Sequence, residues 1–506
     1  MSKKYKLINQ LCFVAIAATI FSTAGCRKEL DITPETFVSP ESLYKDENGD
    51  VAGLTGVYRK LAEWKSSDYY FVGEVGTDEG KTSSFVPTWG GYWTHYDGIN
   101  SYNNLLTAQN QLVQGTWDIL YKGIANANTA IHYIPKSAAP DNVKSRLIGE
   151  AKFLRAVFYF QLVQFFGGVP MPTDAANLDA DARGGYPRSA EADVYAFIIS
   201  DLQYAAANLN AKTAGQDIGR ANKEAAITLL GKVYLTRKNY DLAKTTLEPL
   251  LSATNVKLMT NYPDLFKEVN ENNIESLFEI QYSNESGNSN NLANTLGTWT
   301  IANTYPSGGG HVVLATDYYA NSFESDNDKR KDASLRYKFY DANGNQVDYW
   351  WWADVTKPHV KKYEITAGVS TNGGQSSRNL YYLRYADAIL MYAEAQNELS
   401  NVAVALTNLN KIRNRAGLGN WEIVLGHTPS QTEMRSELLK ERMRELGFEG
   451  WRWCDLKRTG NLIAQVKAYN SDAAPNITTK HLLLPISSKE FETNLALKPS
   501  DQNPGY

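Results

Sequence analysis

Trp89, Tyr92, Trp93 and Tyr96 crowd into one short segment around Gly90 and Gly91, and Trp350, Trp351 and Trp352 run consecutively after Tyr349. Trp299 and Tyr305 lie between these clusters, in a stretch rich in Asn, Ser and Gly. Three consecutive tryptophans do not fit one core. On a strand, Trp350 and Trp352 share a face and Trp351 takes the other. Indole and phenol rings combine an apolar body with a polar edge. That suits ligands whose C–H faces stack on rings while their hydroxyls seek hydrogen bonds, as sugars do. Asp78, Asn100, Asn303, His311, Asp348 and Asp354 accompany the rings. The expected ligand-binding set is Asp78, Trp89, Tyr92, Trp93, Trp299, Tyr305, Trp350, Trp351, Trp352 and Asp354.

Other chemistry finds less support. The six histidines show no metal spacing such as HExxH, and there is no CxxC, so neither a metal nor a cofactor is expected. Gly76 to Thr82 resembles a phosphate loop but is one residue short, and Asp78 and Glu79 would repel phosphate. Glycoside hydrolysis needs two acids facing each other across a cleft. Asp78 and Glu79 are adjacent in one segment, which fits hydrogen bonding to ligand or backbone better than catalysis. Glu441, Glu445 and Glu449 recur every four residues among Arg442, Arg444, Arg452 and Arg458, a pattern of helical ion pairing. Cys454, between Trp453 and Asp455, reads as a buried structural thiol. No enzymatic activity is expected.

The elements that position the aromatic clusters are mostly helical. Residues 72–100 read as a Gly- and aromatic-rich loop region. Apolar residues then recur at three- and four-residue spacing from Asn103 to about Leu251, and again over 383–399, 402–417 and 434–450. Gly167-Gly168-Val169-Pro170 ends one of these helices. Residues 255–375 lose helical periodicity, with one clear strand at 276–283, and form a long irregular insertion, a kind of segment that is usually functional. Gly231, Tyr234, Tyr240, Ala243 and Leu247 fit a tetratricopeptide helix pair, and Ala393, Ala405, Leu409 and Ile412 fit a second, with Gln396 where an aromatic is expected. The fold class is mainly α: tetratricopeptide-like helical pairs with a loop-rich, partly β insertion.

The chain has 506 residues, 43% hydrophobic, 21% charged and 12% aromatic, with a net charge of −4. Lys3, Lys4 and Lys6 precede the apolar run Leu11 to Phe21, as in an export signal. Thr23-Ala24-Gly25-Cys26 resembles a lipobox, with Thr23 where Leu is usual, so Cys26 is the expected lipid-attachment residue. The expected organisation is a signal peptide over 1–25, a lipid-anchored tether over 26–40 and a single domain over 41–506. Removal of residues 1–25 takes away three lysines and no acids, giving −7. Without basic clusters, nucleic acid is a poor partner. Only Cys454 remains for the mature domain, so its core forms without an internal disulfide. No later stretch is apolar for the roughly 20 residues of a membrane span.

Several longer stretches resemble the SusD/RagB family: EAKFLRAVFYFQLVQFFGGVPMP (150–172), YPRSAEADVYAFIISDL (186–202), GRANKEAAITLLGKVYL (219–235), LRYADAILMYAEAQNEL (383–399), LNKIRNRAGL (409–418) and LLKERMRELGFEGWRWCDLKRTG (438–460). The endings LLLPI (482–486) and QNPGY (502–506) are similar too, while Asn494-Leu495 stands where the family often has Asn-Pro. The resemblance spans the mature chain. It implies a surface lipoprotein of the outer membrane that captures glycan without catalysis and serves a SusC-like TonB-dependent transporter as its lid. It also implies a helical fold whose tetratricopeptide pairs face that transporter. Peptide capture, as in RagB-like members, is the alternative within the family. A helical glycoside hydrolase and a ligand-free helical scaffold are the readings outside it.

Overall fold

The computed structural model describes residues 39–66, 68–173, 184–213, 218–283, 285, 287–296, 312–340, 345–347, 356–364, 371–372 and 375–506. Cys26, Trp299, Tyr305, Trp350, Trp351, Trp352 and Asp354 lie outside these residues, as do Asn303, His311 and Asp348. The chain divides into two units, 1–43 and 44–506. In the first, Pro40–Leu43 makes one helical turn. No helix among the described residues is long and apolar enough to cross a membrane.

The second unit is built on long helices: α1 (Glu47–Ser66), α2 (Thr94–Ser101), α3 (Gln111–Tyr133), α4 (Asp141–Phe166) and α5 (Glu191–Asn208). From Gly149 onward α4 is buried on every side except at Lys152, as expected of a helix apolar all round. It packs against α1, α3 and α5. A β-carbon on Gly123 of α3 would lie 2.5 Å from the Phe158 ring, so only glycine permits this approach of α3 to α4. The helix expected from Asn103 begins at Gln111 instead. The Asn110 side chain accepts hydrogen bonds from the Leu112 and Val113 amides and caps it there, leaving 103–110 as turns.

Two helix hairpins follow, α6 (Lys223–Thr236) with α7 (Tyr240–Leu251), and α8 (Tyr385–Glu398) with α9 (Val402–Arg415). They correspond position for position. Gly231, Tyr234, Lys238, Ala243 and Leu247 match Ala393, Gln396, Ser400, Ala405 and Leu409. Lys238 and Ser400 both adopt left-handed backbone, and the Asn239 and Asn401 amides reach back to the Tyr234 and Gln396 carbonyls at 2.9 and 2.8 Å. These are 6→1 bonds of the Schellman type. In the second hairpin Gln396 replaces the ring with hydrogen bonds, to the Tyr392 hydroxyl and from the Asn401 amide.

Between the hairpins the described part of the insertion is partly β. β1 (Gly80–Thr82), from the segment read as loop, pairs with β3 (Val313–Ala315) in a four-stranded antiparallel sheet, order β1-β3-β5-β4, where β4 is Leu335–Arg336 and β5 is His359–Val360. β2 (Ser276–Ile280) pairs antiparallel with β6 (Leu380–Arg384). Three helices then follow toward the C-terminus, α10 (Gln431–Leu446), α11 (Arg452–Arg458) and α12 (Leu462–Tyr469).

Charge joins the insertion to the helices. Glu441 and Glu445 of α10, with Glu449 beyond its end, are buried. Their partners are mostly distant in sequence, not helix neighbours as the spacing implied. Arg330 donates to Glu441 at 2.7 Å and forms a two-point pair with Asp328. Arg384 donates to Glu449 and Glu275, at 2.8 and 2.9 Å, and also to Glu445. Arg415 binds Glu275 at 3.0 Å and Glu445. Lys362 reaches Glu449 at 2.9 Å. Of the four local arginines, Arg444 alone pairs within the helix, at 2.9 Å to Glu441. Arg442 instead pairs with Asp387 and Asp455, Arg458 with Glu394 and Asp455, and Arg452 with Asp78.

Burial pushes the Glu445 carboxyl up, but Arg415, Arg384 and Arg330 outweigh it and hold the group well below the usual carboxylate range. Asp455 is depressed likewise, against its burial, by Arg442 and Arg458, and Glu441 by Arg330 and Arg444. A carboxyl whose pKa falls on folding stabilises the fold above its unfolded value, about 4, and loses that contribution as pH drops toward its folded value. Chemical denaturation midpoints are therefore expected to hold down to about pH 4 and to fall steadily below it. Glu445→Gln leaves three buried arginines undercompensated, and urea unfolding at neutral pH should show a loss of about 3–5 kcal/mol.

Candidate functional site

The described aromatic cluster is raised on the junction between α1 and α2. After α1 a 3-10 turn, Asp68–Phe71, carries Asp68 and Tyr70. The Tyr70 hydroxyl donates to the Phe448 carbonyl at 2.6 Å, and the Phe71 ring meets Tyr96 at 5.9 Å, which fixes the turn. A short helix, Val86–Trp89, ends at Gly90. Gly90 and Gly91 adopt φ +63° and +56°, and a β-carbon on either would meet no atom within 4 Å. The left-handed backbone, rather than crowding, calls for glycine here. Gly91–Trp93 then forms a 3-10 turn that leads into α2. Trp89 and Trp93 thus sit in short helical turns, not in the irregular loop that the composition suggested.

Tyr92 and Trp93 are the solvent-facing rings. Tyr92 is 39% exposed and Trp93 half-buried, while Tyr96 beneath them is 0% exposed. Trp93 meets Tyr92 edge-on at 6.1 Å and lies tilted on Tyr96 at 5.3 Å. The Tyr92 hydroxyl donates to Asp68 Oδ2 at 3.0 Å. Partial burial, then the Asp68 charge, raise the Tyr92 pKa, so the phenol stays a neutral donor. His95 packs edge-on to Tyr92 at 5.8 Å, and its Nδ1 accepts from the Gln111 amide at 3.3 Å, tying α2 to the start of α3. Burial lowers the His95 pKa, which keeps the ring neutral for that role. The result is a ring pair with fixed orientation, open on one side, standing on a buried third ring.

Asp78 does not belong to this surface. It is 0% exposed, and both of its carboxylate oxygens accept from Arg452, at 2.7 and 2.6 Å. A carboxylate filled on both oxygens by a guanidinium and sealed from water has nothing to offer a ligand. Asn100 is buried as well, its Oδ1 accepting the Thr82 amide at 2.9 Å. The acid that serves the rings is Asp68, which the sequence reading missed. It lies 24 residues before Tyr92, beside Tyr69 and Tyr70, and only the tertiary fold pairs it with the phenol. The described residues bring Tyr92 and Trp93 together; Trp89 follows the same turn through its backbone.

Among the described residues no three His, Cys, Asp or Glu converge as a metal-binding group. Cys454 is buried, and burial pushes its thiol up to about 12, far from a reactive thiolate.

The two roles separate experimentally. Asp78→Asn leaves Arg452 uncompensated in the core and should cost about 3–5 kcal/mol in denaturant unfolding. Trp93→Ala removes ring contacts at the surface and should cost about 1–2 kcal/mol in the same measurement.

Comparison with known proteins gives the family. Residues 59–235 match the family model described as "Starch-binding associating with outer membrane", and residues 274–506 match that of the SusD family. A SusD-like protein of Formosa agariphila is 28% identical over 100% of both chains. One of Bacteroides ovatus is 26% identical, over 88% of this chain and 82% of its own. Among solved structures, a SusD homolog from Bacteroides thetaiotaomicron superposes with a TM-score of 0.81 at 24% identity, covering 93% of this chain and 99% of that one. A laminarin-binding SusD-like protein gives 0.76 at 25% identity, covering 92% and 100%. Surface glycan-binding protein A of B. thetaiotaomicron, solved with laminarihexaose, gives 0.75 at 20% identity, covering 91% and 100%. With matched models over both halves and whole-length relatives of the same kind, the chain belongs to the SusD/RagB family.

Proposed function

We propose that this protein is a non-catalytic glycan-binding lipoprotein of the outer-membrane surface. It captures oligosaccharide or polysaccharide and passes it to a SusC-like TonB-dependent transporter. The observation that carries the reading is the Tyr92–Trp93 ring pair, open to solvent and oriented by the Asp68 hydrogen bond. Rings held in place lose little conformational freedom on binding, so a sugar face stacks without an ordering cost. With the phenol proton given to Asp68, the Tyr92 oxygen and the Asp68 carboxylate both act as acceptors for hydroxyls at the ring edge. The relative named for laminarin binding supports the ligand class. Trp89, Trp299, Tyr305, Trp350, Trp351, Trp352 and Asp354 complete the proposed surface. Flat stacking gives modest affinity per sugar, which suits a protein that must release its cargo. Attachment through Cys26 holds it at the membrane.

Affinity electrophoresis of the mature domain tests this, in gels cast with laminarin, starch and a panel of neutral and acidic polysaccharides. One polymer should retard the protein. Trp93→Ala should weaken retention about tenfold, the equivalent of about 1.4 kcal/mol of stacking. The Trp350–Trp352 triple-alanine variant should reduce it further while remaining folded. Migration unchanged by every polymer would overturn the polysaccharide reading and favour peptide capture. For the anchor, Cys26→Ala should abolish palmitate labelling and move the protein from the membrane to the soluble fraction. Labelling that survives this substitution would refute Cys26 as the attachment site.

A further inference from the structure

A cavity of about 400 Å³ opens between α1, the turn at Ile218–Arg220 and β2. It shares no residue with the Tyr92–Trp93 pair. Its volume lies within the range of small-molecule sites. Gly219, at φ +83°, lets the turn lie directly over the strand, because a β-carbon there would sit 2.5 Å from the Gln281 side chain. A smaller depression, lined in part by Arg146 and Lys212, adjoins the cavity across the same turn.

The apolar part of the lining is Tyr58, Leu61, Ala62, Ile218, Phe278 and Ile280. Tyr58 is locked at its tip. Its hydroxyl donates to the buried Glu150 at 2.6 Å and accepts the Ala221 amide at 2.9 Å. Arg220 bridges to the same Glu150 at 2.8 Å and lies over the Tyr58 ring at 5.5 Å. The inner wall is preorganised as well. Both Glu279 oxygens accept the Asn272 amide at 2.9 Å, and Gln281 exchanges two hydrogen bonds with the Asn272 side chain. At the mouth stand Arg59 of α1 and, opposite, Glu285 and Asn288. Arg59 Nη2 lies 3.7 Å from where a β-carbon of Gly287 would be, so the arginine reaches across the opening to that turn.

The chemistry of this lining selects its ligand. Arg59 is paired with Glu63 at 3.2 Å and Arg220 with Glu150, while both Glu279 oxygens are taken by the Asn272 amide, so these charges are already engaged and do not select an ion. A purely apolar ligand would strip water from the charged rim without replacing its hydrogen bonds. A neutral ligand with an apolar face and a ring of groups that both donate and accept fits both parts. We infer that the cavity is a second carbohydrate site, sized for a mono- or disaccharide and separate from the aromatic platform. The choice of carbohydrate among neutral polar ligands rests on the glycan reading above. The site would hold a terminal sugar in a pocket, where the platform stacks on an extended surface.

Saturation-transfer NMR of the mature domain against glucose, galactose, mannose, xylose and their common disaccharides tests the inference. The variants are Trp93→Ala, which removes a platform ring, and Arg59→Ala/Asn288→Ala, which changes two exposed side chains at the cavity mouth. At least one sugar should bind wild type and Trp93→Ala alike, and the double variant should weaken it about tenfold or more, since hydrogen bonds to a charged group are lost. Binding lost in Trp93→Ala but intact in the double variant would overturn the second site and assign the sugar to the platform. No sugar signal in wild type, with polysaccharide retardation still present, would overturn the cavity site and leave the glycan reading standing. Absence of both would overturn both.

Discussion

Glu445 and its arginines are the constraint on which the architecture turns. Arg330 comes from the insertion, Arg384 from the end of β6, just before α8, and Arg415 from the end of α9, and all three converge on one buried carboxylate. Such a cluster is favourable only when every member is present, because each charge has surrendered its water. The insertion, the second helix hairpin and α10 are therefore obliged to assemble together. Aliphatic packing could hold the same elements, but it would not specify one mutual arrangement so narrowly. Here specificity of arrangement matters, because the ring pair is placed through the same junction.

That placement runs through Phe448. The residue adopts left-handed backbone at φ +61°, a conformation that costs a bulky side chain roughly 1–2 kcal/mol. Its carbonyl accepts the hydroxyls of Tyr70 and Tyr363, and its amide donates to Glu79 at 2.6 Å. Glu449, one residue on, belongs to the charge network. A single turn thus connects the buried charges to the 3-10 turn that carries Asp68, and Asp68 orients Tyr92. The ring pair is exposed, but its position is set in the interior.

The helices were legible because periodicity is local. Apolar spacing found the hairpins, and Gly231 and Ala393 already marked where two helices approach closely. The start of α3 was misplaced because the eight residues before Gln111 are as apolar as a helix start, and only the Asn110 cap decides the boundary. The charge network was read as local ion pairing because a four-residue spacing of glutamates looks the same whether the cations come from the same helix or from far along the chain. Asp78 was taken for a ligand residue for the same reason: its partner, Arg452, is 374 residues away. Aromatic residues pointed to the exposed ring pair, since rings that cannot share a core advertise themselves in sequence. The acid that orients them does not, because a hydrogen bond across 24 residues leaves no pattern.

Gly90 and Gly91 turn the chain at a point where an added side chain would meet nothing. The turn itself is uncrowded, but the rings it delivers are not free to change, because Tyr92 and Trp93 pack on the buried Tyr96. An open turn of this kind sets the direction of the chain without supplying contacts, so the rings take their orientation from Tyr96 and Asp68 and not from the glycines that deliver them.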